Sequence, residues 1–348
     1  MLGCKLFVCQ FKYLFRLMES QYFIFQRNVY FYSSNLNEIS LTEYTFFMAR
    51  EVVKVFAPAS VANVGVGYDI LGFALDEPGD YVKLQYGTEP GLKITSVTGD
   101  KNKLPKEVLK NTAGYAAHRF LADLDALDMP LEMEVQKKMP FGSGLGSSAA
   151  SAVAGVFAVR ELLKLDIDKS KILKYAVEGE QIADGAYHAD NVAPSLMGGI
   201  VLIRDNASLD VTKLYVPKGL MAVVLYPKIQ IPTKDSRNIL SDTITLDQHI
   251  MQSGNLATLV AALYQSDFDK IARCLDDVII EPQRAKLIPH FYEAKEAAMK
   301  AGALGFSISG AGPSMFALCN NTLIAENIKN ALTKIYTCLL YTSPSPRD

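Results

Sequence analysis

The residues with the clearest capacity for chemistry form the segment MPFGSGLGSSAAS at residues 139–151. Its three alternating glycines let the backbone take positive φ angles and let N–H groups approach a ligand closely. The segment joins a predicted strand at 131–138 to a predicted helix at 147–163, and the start of a helix offers N–H groups without intrahelical partners. The pattern is typical of a phosphate site built from backbone amides. A flexible Gly/Ser turn that caps a helix explains it equally well.

This segment matches neither of the two common nucleotide-binding signatures. No Lys follows a Gly in it, so the pattern GxxxxGK[ST] is absent, and the glycines do not have the spacing GxGxxG. A phosphate site here would therefore depend on backbone amides and on Ser147 and Ser148 at the start of the helix.

A carboxylate lies within the apolar stripe of the next predicted helix, at residues 169–184. Glu180 falls in that stripe, whereas Glu178 points to the opposite side. The apolar members of the stripe are Ile172, Leu173, Ala176, Val177 and Ala183. A buried carboxylate needs a partner, either a Lys or Arg or a cation, and beside a phosphate loop Mg²⁺ is the natural cation because it prefers oxygen ligands.

Two other Gly-rich turns follow predicted strands. One is APASVANVGVGYDILG at 57–72, which carries Asn63 and Asp69, and the other is SGAGPS at 309–314, which carries Gly310 and Gly312. Each alone is typical of a tight turn. His188, Asp190 and Asn191 lie in a predicted loop, and the absence of a second His at ligand spacing argues against zinc.

Taken together and in this order, the three glycine-rich segments resemble the three motifs of the GHMP small-molecule kinases. The matching patterns are APASxANxGxGxDxxGxAL at 57–75, PxxxGLGSSAA at 140–150 and SGAGPS at 309–314. The resemblance covers residues 48–335. It implies an α+β, two-lobed fold whose N-terminal lobe is similar to domain 2 of ribosomal protein S5 and whose C-terminal lobe is ferredoxin-like.

Three further segments are similar to the members of that family that phosphorylate L-homoserine: HADNVAPSLMGG at 188–199, PTKDSR at 232–237 and EPQRAKLIP at 281–289. The implied reaction transfers the γ-phosphoryl group of ATP to the side-chain hydroxyl of L-homoserine and belongs to threonine biosynthesis. Two alternatives stay open, a kinase of the same family for another small alcohol and a non-catalytic relative that binds a metabolite.

The resemblance also implies roles for individual residues. Ser148 and Glu180 would hold Mg²⁺, and these two with Asp69 would be the catalytic residues. The ATP phosphates would be bound by Pro140, Phe141, Gly142, Ser143, Gly144, Leu145, Gly146, Ser147, Ser148, Ala149 and Ala150.

The residues implied for L-homoserine come from several segments. Asp69 would bind the ammonium group and Arg237 and Arg284 the carboxylate, for which a bidentate guanidinium is well suited. The other expected contacts are Asn63, Asn191, Thr233, Gly310 and Gly312. Mevalonate kinase, a relative, uses an Asp/Lys pair, and the sequence shows no clear equivalent. The hypothesis is therefore that the alcohol attacks directly, without a strong general base.

Composition restricts the partners. The 348 residues carry a formal net charge of −2, which gives no general attraction for nucleic acid, and no apolar run approaches the roughly 18 residues of a membrane span. The five Cys lack metal-ligand or CxxC spacing, so we expect thiols in a reducing cytoplasm. Dimers are common among the similar kinases, which makes a homodimer an expectation, although no interface pattern is evident.

The mixed order of the predicted helices and strands favours α+β over a doubly wound sheet. Residues 1–47 are predicted to be a non-native or disordered extension, and residues 339–348 a non-native scar. Between them, residues 48–205 would form the ATP-binding N-terminal domain. Residues 206–338 would form a C-terminal domain that stops short of the family's closing strand.

Overall fold

The computed structural model describes residues 4–10, 51–140 and 142–338. Phe141, residues 11–47 of the predicted extension and the predicted scar at 339–348 lie outside the described residues. Within the described residues, two sheets and a set of helices form the mixed α+β architecture that the sequence predicted.

The strands in chain order are β1 (Cys4–Gln10), β2 (Val52–Ala62), β3 (Leu71–Tyr86), β4 (Leu92–Thr98), β5 (Leu131–Gln136), β6 (Ile200–Asp205), β7 (Asp210–Leu214), β8 (Met221–Pro227), β9 (Gly305–Ile308) and β10 (Met315–Cys319). The helices are α1 (Thr112–Asp123), α2 (Ser147–Leu162), α3 (Lys169–Asp184), α4 (Val192–Met197), α5 (Thr233–Asn238), α6 (Leu246–Gln265), α7 (Phe268–Cys274), α8 (Glu281–Arg284), α9 (Phe291–Lys300) and α10 (Thr322–Cys338). None of these helices combines the length and the apolar character needed to cross a membrane.

The first sheet has the order β4-β5-β3-β6-β7, and β2 pairs with β3. Its strands show the period-two pattern of a half-buried sheet. In β5, for example, Leu131, Met133 and Val135 are buried, and the residues between them are partly exposed. Helices α1, α2 and α3 pack against one another and share the core of this sheet.

The second sheet is antiparallel, with the order β1-β8-β10-β9. Every residue of β8 is buried, because alternate residues face two different cores. Ala222 and Val224 belong to the core of the first sheet, whereas Val223 and Leu225 belong to a second core under α9 and α10. Strand β8 therefore contributes to the cores of both sheets.

The expectation that residues 1–47 stay outside the fold is wrong for residues 4–10. Strand β1 pairs with β8 along its whole length, from Cys4 opposite Pro227 to Gln10 opposite Met221. The physical reason is that β8 would be the edge strand of this sheet without β1, and the unpaired backbone N–H and C=O groups of an edge strand are satisfied by another extended segment.

The predicted division after residue 205 also needs correction. Strand β7 pairs antiparallel with β6, from Ile200 opposite Leu214 to Asp205 opposite Asp210. The first sheet therefore extends beyond residue 205, and the chain passes to the second sheet between Leu214 and Met221. The polar, turn-rich sequence of 205–218 predicted a boundary and gave no indication of the short edge strand β7.

Close packing of α2 against α1 depends on Gly155. A Cβ at this position would lie 2.4 Å from the backbone oxygen of Ala113. We therefore expect Gly155→Ala to lower the free energy of unfolding by about 1–3 kcal/mol, measured by urea denaturation. The matched control is Gly254→Ala in α6, where nothing lies within 4 Å of the added carbon. That substitution should raise the free energy of unfolding by about 0.5–1 kcal/mol, since Ala favours helix. Equal effects of the two substitutions would contradict this view of the α1–α2 contact.

Candidate active site

A cavity of about 430 Å³ brings together residues from all three glycine-rich segments. Its volume suits a small-molecule site. The predicted residues that line it are Asn63, Asp69, Gly142, Ser143, Gly144, Leu145, Gly146, Ser147, Ser148, Glu180, Asn191, Thr233, Arg237, Arg284 and Gly310. Four predicted residues do not line it: Pro140, Ala149, Ala150 and Gly312.

The loop at 142–146 requires its glycines. Gly142, Gly144 and Gly146 have φ angles of 59°, 74° and 63°, values that side chains disfavour. A Cβ on Gly144 would lie 2.5 Å from the carbonyl oxygen of Ser309, and one on Gly146 would lie 2.2 Å from the hydroxyl oxygen of Ser60. At Gly142 nothing lies within 4 Å, so the backbone there is open toward a ligand.

Hydrogen bonds fix this loop to the other two segments. The Ser309 hydroxyl donates to the Gly144 carbonyl at 2.6 Å, and the Ser60 N–H donates to the Leu145 carbonyl at 3.1 Å. The three segments that are distant in sequence therefore form a single rigid unit around the cavity.

Helix α2 begins directly at the loop. Its N-cap is Gly146 in the left-handed conformation, which makes no side-chain cap bond. Glycine has no side chain to accept from the first N–H groups of the helix, so these groups and the positive end of the helix dipole can bind an anion.

Ser148 and Glu180 lie together beside this helix start. The Ser148 hydroxyl donates to Glu180 Oε1 at 2.8 Å, and Glu180 is only 5% exposed. A hydroxyl and a buried carboxylate next to an anion-binding loop fit Mg²⁺, which takes a few protein oxygens and completes its shell with phosphate oxygens and water. The alternative partner, a basic side chain, is also present, since the charges of Lys137 and Glu180 interact electrostatically.

A buried ion pair that the sequence analysis missed supports the same loop. Lys137 Nζ lies 2.5 Å from Asp80 Oδ2 and donates to the Ser147 carbonyl at 2.7 Å. Asp80 accepts from the N–H of Lys138 and from the Ser147 hydroxyl, at 2.7 and 2.8 Å. Burial lowers the pKa of Lys137, while Asp80 opposes that shift. The sequence does contain a signal for the burial of Lys137, because this residue continues the alternation of inward-facing residues in β5.

Asn63 ties the first segment to the third. Its side-chain amide donates to the Gly310 carbonyl at 3.0 Å, and its Oδ1 accepts from the Asp69 N–H at 3.1 Å. Asn63 and Asp69 have φ angles of 73° and 57°, a conformation that Asn and Asp tolerate better than most residues. The amide of Asn63 therefore shapes the turn that presents Asp69.

Asp69 and the two predicted arginines meet at this part of the cavity. Arg237 approaches both carboxylate oxygens of Asp69, at 3.3 and 3.4 Å. Arg284 is 3% exposed and donates to the carbonyls of Ser236 and Gly310, at 3.1 and 2.8 Å. Burial raises the pKa of Asp69, Asp190 adds to that rise, and Arg237 opposes it. Burial lowers the pKa of Arg284.

His188 and Asp190 also line the cavity near Asp69, although neither was assigned a role from the sequence. His188 Nδ1 lies 2.7 Å from Asp190 Oδ1, and one ligand atom from each of Asp69, His188 and Asp190 lies within 4.8 Å of the others. Asn191 accepts from the Ser60 hydroxyl at 2.8 Å. Two carboxylates beside two guanidinium groups suit a ligand that carries both an ammonium and a carboxylate.

Comparison with known proteins identifies the family. The family models described as GHMP kinases N terminal domain and GHMP kinases C terminal match residues 108–199 and 259–338. The homoserine kinase of Chloroherpeton thalassium is 41% identical over 290 residues, which are 81% of this chain and 91% of that protein. The chain belongs to the GHMP kinases. The two-lobed α+β fold that the resemblance implied is thereby confirmed.

Solved structures agree with this assignment. The crystal structure of homoserine kinase from Cytophaga hutchinsonii is similar to this GHMP kinase, with a TM-score of 0.81 and 48% identity, covering 88% of this chain and 94% of that one. L. major mevalonate kinase in complex with R-mevalonate has a TM-score of 0.62 at 17% identity and covers 81% of this chain and 91% of that one. The second likeness shows the fold alone.

The contribution of the buried pair of Asp80 and Lys137 to stability can be tested directly in this GHMP kinase. Asp80→Asn leaves the Lys137 charge buried without its counter-charge, so we expect a loss of about 3 kcal/mol or more in the free energy of unfolding. Thermal unfolding measures it. The control is Asp210→Asn, which disrupts the exposed pair of Arg204 and Asp210 and should leave the unfolding midpoint almost unchanged. A midpoint for Asp80→Asn equal to that of the control would refute the role of the buried pair.

Proposed function

We propose that this GHMP kinase transfers the γ-phosphoryl group of ATP to the side-chain hydroxyl of L-homoserine, giving O-phospho-L-homoserine and ADP. One observation carries the proposal: Asp69, Arg237 and Arg284 lie in the same cavity as the anion-binding loop. The names of the relatives at 41% and 48% identity support it.

The acceptor site suits an amino acid. Arg284 and Arg237 would bind the carboxylate, since guanidinium groups match its planar geometry. Asp69, with Asp190 nearby, would bind the ammonium group. Because Arg237 and Asp69 already face each other at 3.3 Å, each charge of the substrate would meet a group of opposite charge that is already in place.

The loop at 142–146 and the start of α2 would bind the phosphates of ATP through backbone N–H groups. Ser148 and Glu180 would hold Mg²⁺, which when bound neutralises phosphate charge. The cavity continues along residues to which the sequence assigned no role in binding, and these would contact the rest of the nucleotide: Leu104, Lys110, Asn111, Thr112, Ile182 and Ala183.

The chain's contribution to the chemical step is proposed to be positioning. Phosphoryl transfer passes through a loose transition state that needs little covalent help. The two carboxylates of the acceptor site are already engaged, Asp69 by Arg237 and Asp190 by His188. This arrangement supports direct attack by the alcohol with late loss of its proton. A role in threonine biosynthesis, a cytoplasmic location and a homodimer stay predictions.

The substrate and the metal-binding residues are tested together by coupled ADP release with L-homoserine, mevalonate and galactose. We expect turnover with L-homoserine alone. Ser148→Ala and Glu180→Ala should each lower kcat on the order of 10²–10³-fold, the size expected for a lost transition-state contact, with little change in unfolding midpoint.

The matched control for Glu180→Ala is Glu178→Ala. Glu178 lies on the same helix but pairs with Arg119 at 2.8 Å, outside the cavity. Its kcat should stay within about twofold of the wild type. Near-normal kcat in either active-site variant would refute the assigned roles, and turnover of another alcohol in place of L-homoserine would refute the proposed substrate.

Asp69 should also make substrate binding depend on pH. Its raised pKa means that the carboxyl group gains a proton at a higher pH than an ordinary aspartic acid, and the neutral form cannot pair with an ammonium group. We therefore expect KM for L-homoserine to rise as pH falls, and the rise to begin at a higher pH than it would for an ordinary aspartic acid.

Asp69→Asn tests this role of the carboxyl group. It should raise KM at every pH, weaken the pH dependence and leave kcat within about tenfold of the wild type. A loss in kcat on the order of 10⁴ with unchanged KM would instead identify Asp69 as a general base.

A further inference from the structure

Tyr68 contacts both arginines of the acceptor site. Its hydroxyl oxygen accepts from Arg237 Nη1 at 3.3 Å and from Arg284 Nη2 at 3.5 Å. The guanidinium carbon of Arg284 also lies 5.0 Å from the centroid of the Tyr68 ring. A single side chain therefore touches the two cations through two different kinds of interaction, a shared hydrogen-bond acceptor and a cation–π contact.

The backbone around Tyr68 is well fixed. The Gly67 N–H donates to the Asn63 carbonyl at 2.8 Å, and the Leu71 N–H donates to the Gly67 carbonyl at 2.9 Å. A Cβ on Gly67 would lie 2.4 Å from that of Leu71, so the turn is compact. The side chain of Tyr68 consequently projects from a rigid support next to Asp69.

Two guanidinium groups at close range repel each other, and burial makes the repulsion stronger. Each one has its own acceptors, the Asp69 carboxylate for Arg237 and two backbone carbonyls for Arg284. Tyr68 adds an acceptor that lies between them. Burial raises the pKa of Tyr68, so the phenol is neutral, and its oxygen has two lone pairs with which to accept from the two cations.

We propose that Tyr68 is a positioning residue for substrate specificity, which holds Arg237 and Arg284 at the separation and orientation needed to bind one carboxylate. This inference rests on the proposed function. It concerns the carboxylate alone, so the contribution of Tyr68 should disappear for an acceptor that keeps the ammonium and hydroxyl groups but lacks the carboxylate.

The test uses Tyr68→Phe with two ligands, L-homoserine and 3-amino-1-propanol, which is the same molecule without its carboxylate. Calorimetry gives Kd for each ligand, and steady-state kinetics gives kcat and KM. We expect Kd and KM for L-homoserine to rise about tenfold, because two hydrogen bonds to charged groups are lost. The value of kcat should stay within about twofold and KM for ATP unchanged. For 3-amino-1-propanol, Kd should be the same in the wild type and the variant.

A second variant and a control complete the design. Tyr68→Leu also removes the ring, and it should weaken binding of L-homoserine more than Tyr68→Phe does. The control is Tyr175→Phe on α3, which loses a comparable hydrogen bond to Asp123 at 2.9 Å and should leave both Kd values unchanged.

The outcomes distinguish this inference from the proposed function. An unchanged Kd for L-homoserine in Tyr68→Phe would overturn the inference, and so would an equal rise for both ligands, which would indicate a general disturbance of the site. Failure of the wild type to phosphorylate L-homoserine would overturn the proposed function. The calorimetric comparison of the two ligands would still decide the role of Tyr68 in that case.

Discussion

The buried ion pair of Asp80 and Lys137 is the interaction on which the glycine-rich loop at 142–146 depends. Neither side chain reaches water to any useful extent, being 0% and 3% exposed, so the cost of desolvating two charges must be offset by nearby polar groups. Those groups lie just after β5 and in the first turn of α2: the Lys138 N–H, the Ser147 hydroxyl and the Ser147 carbonyl. The pair therefore couples the stability of the first sheet to the position of the helix that would face the nucleotide.

The rest of the cavity follows from how the other two glycine-rich turns fit this loop. Ser60 and Ser309 hold it from two sides, and Asn63 joins those two sides through Gly310. No segment makes a site alone, because each supplies acceptors or donors that another segment needs. Because the three segments pack this closely around the loop, no space is left for a Cβ at Gly144 or Gly146, both of which have left-handed backbone conformations.

Elements with a clear local apolar pattern could be predicted from the sequence. Elements and contacts that depend on residues distant in the chain could not. Helix α2 and strand β5 were predicted almost to the residue from their apolar runs and alternation. Helix α1 was missed although its buried residues recur at helical spacing, because four of the six are Ala or Gly. The short strand β7, with four partly or fully exposed residues, carries no alternating apolar pattern and was missed too. In the site, Glu180 was found because it interrupts an apolar stripe. The contacts of Asp80 with Lys137 and of Tyr68 with Arg284 were not found, since their partners are remote in sequence.

Under the proposed function, the charges of Asp69, Arg237 and Arg284 would suit a zwitterion. Burial raises the pKa of Asp69 and lowers the pKa of Arg284, so in both residues the charged form is held at a cost in solvation. Asp69 already pairs with Arg237, so a ligand with only one charge would compete for one member of that pair and leave the other with a weaker partner. An ammonium and a carboxylate on the same carbon compensate both at once. Under the proposed function, selectivity for an amino acid would follow from the unfavourable solvation of the buried charges as much as from the contacts that the ligand makes.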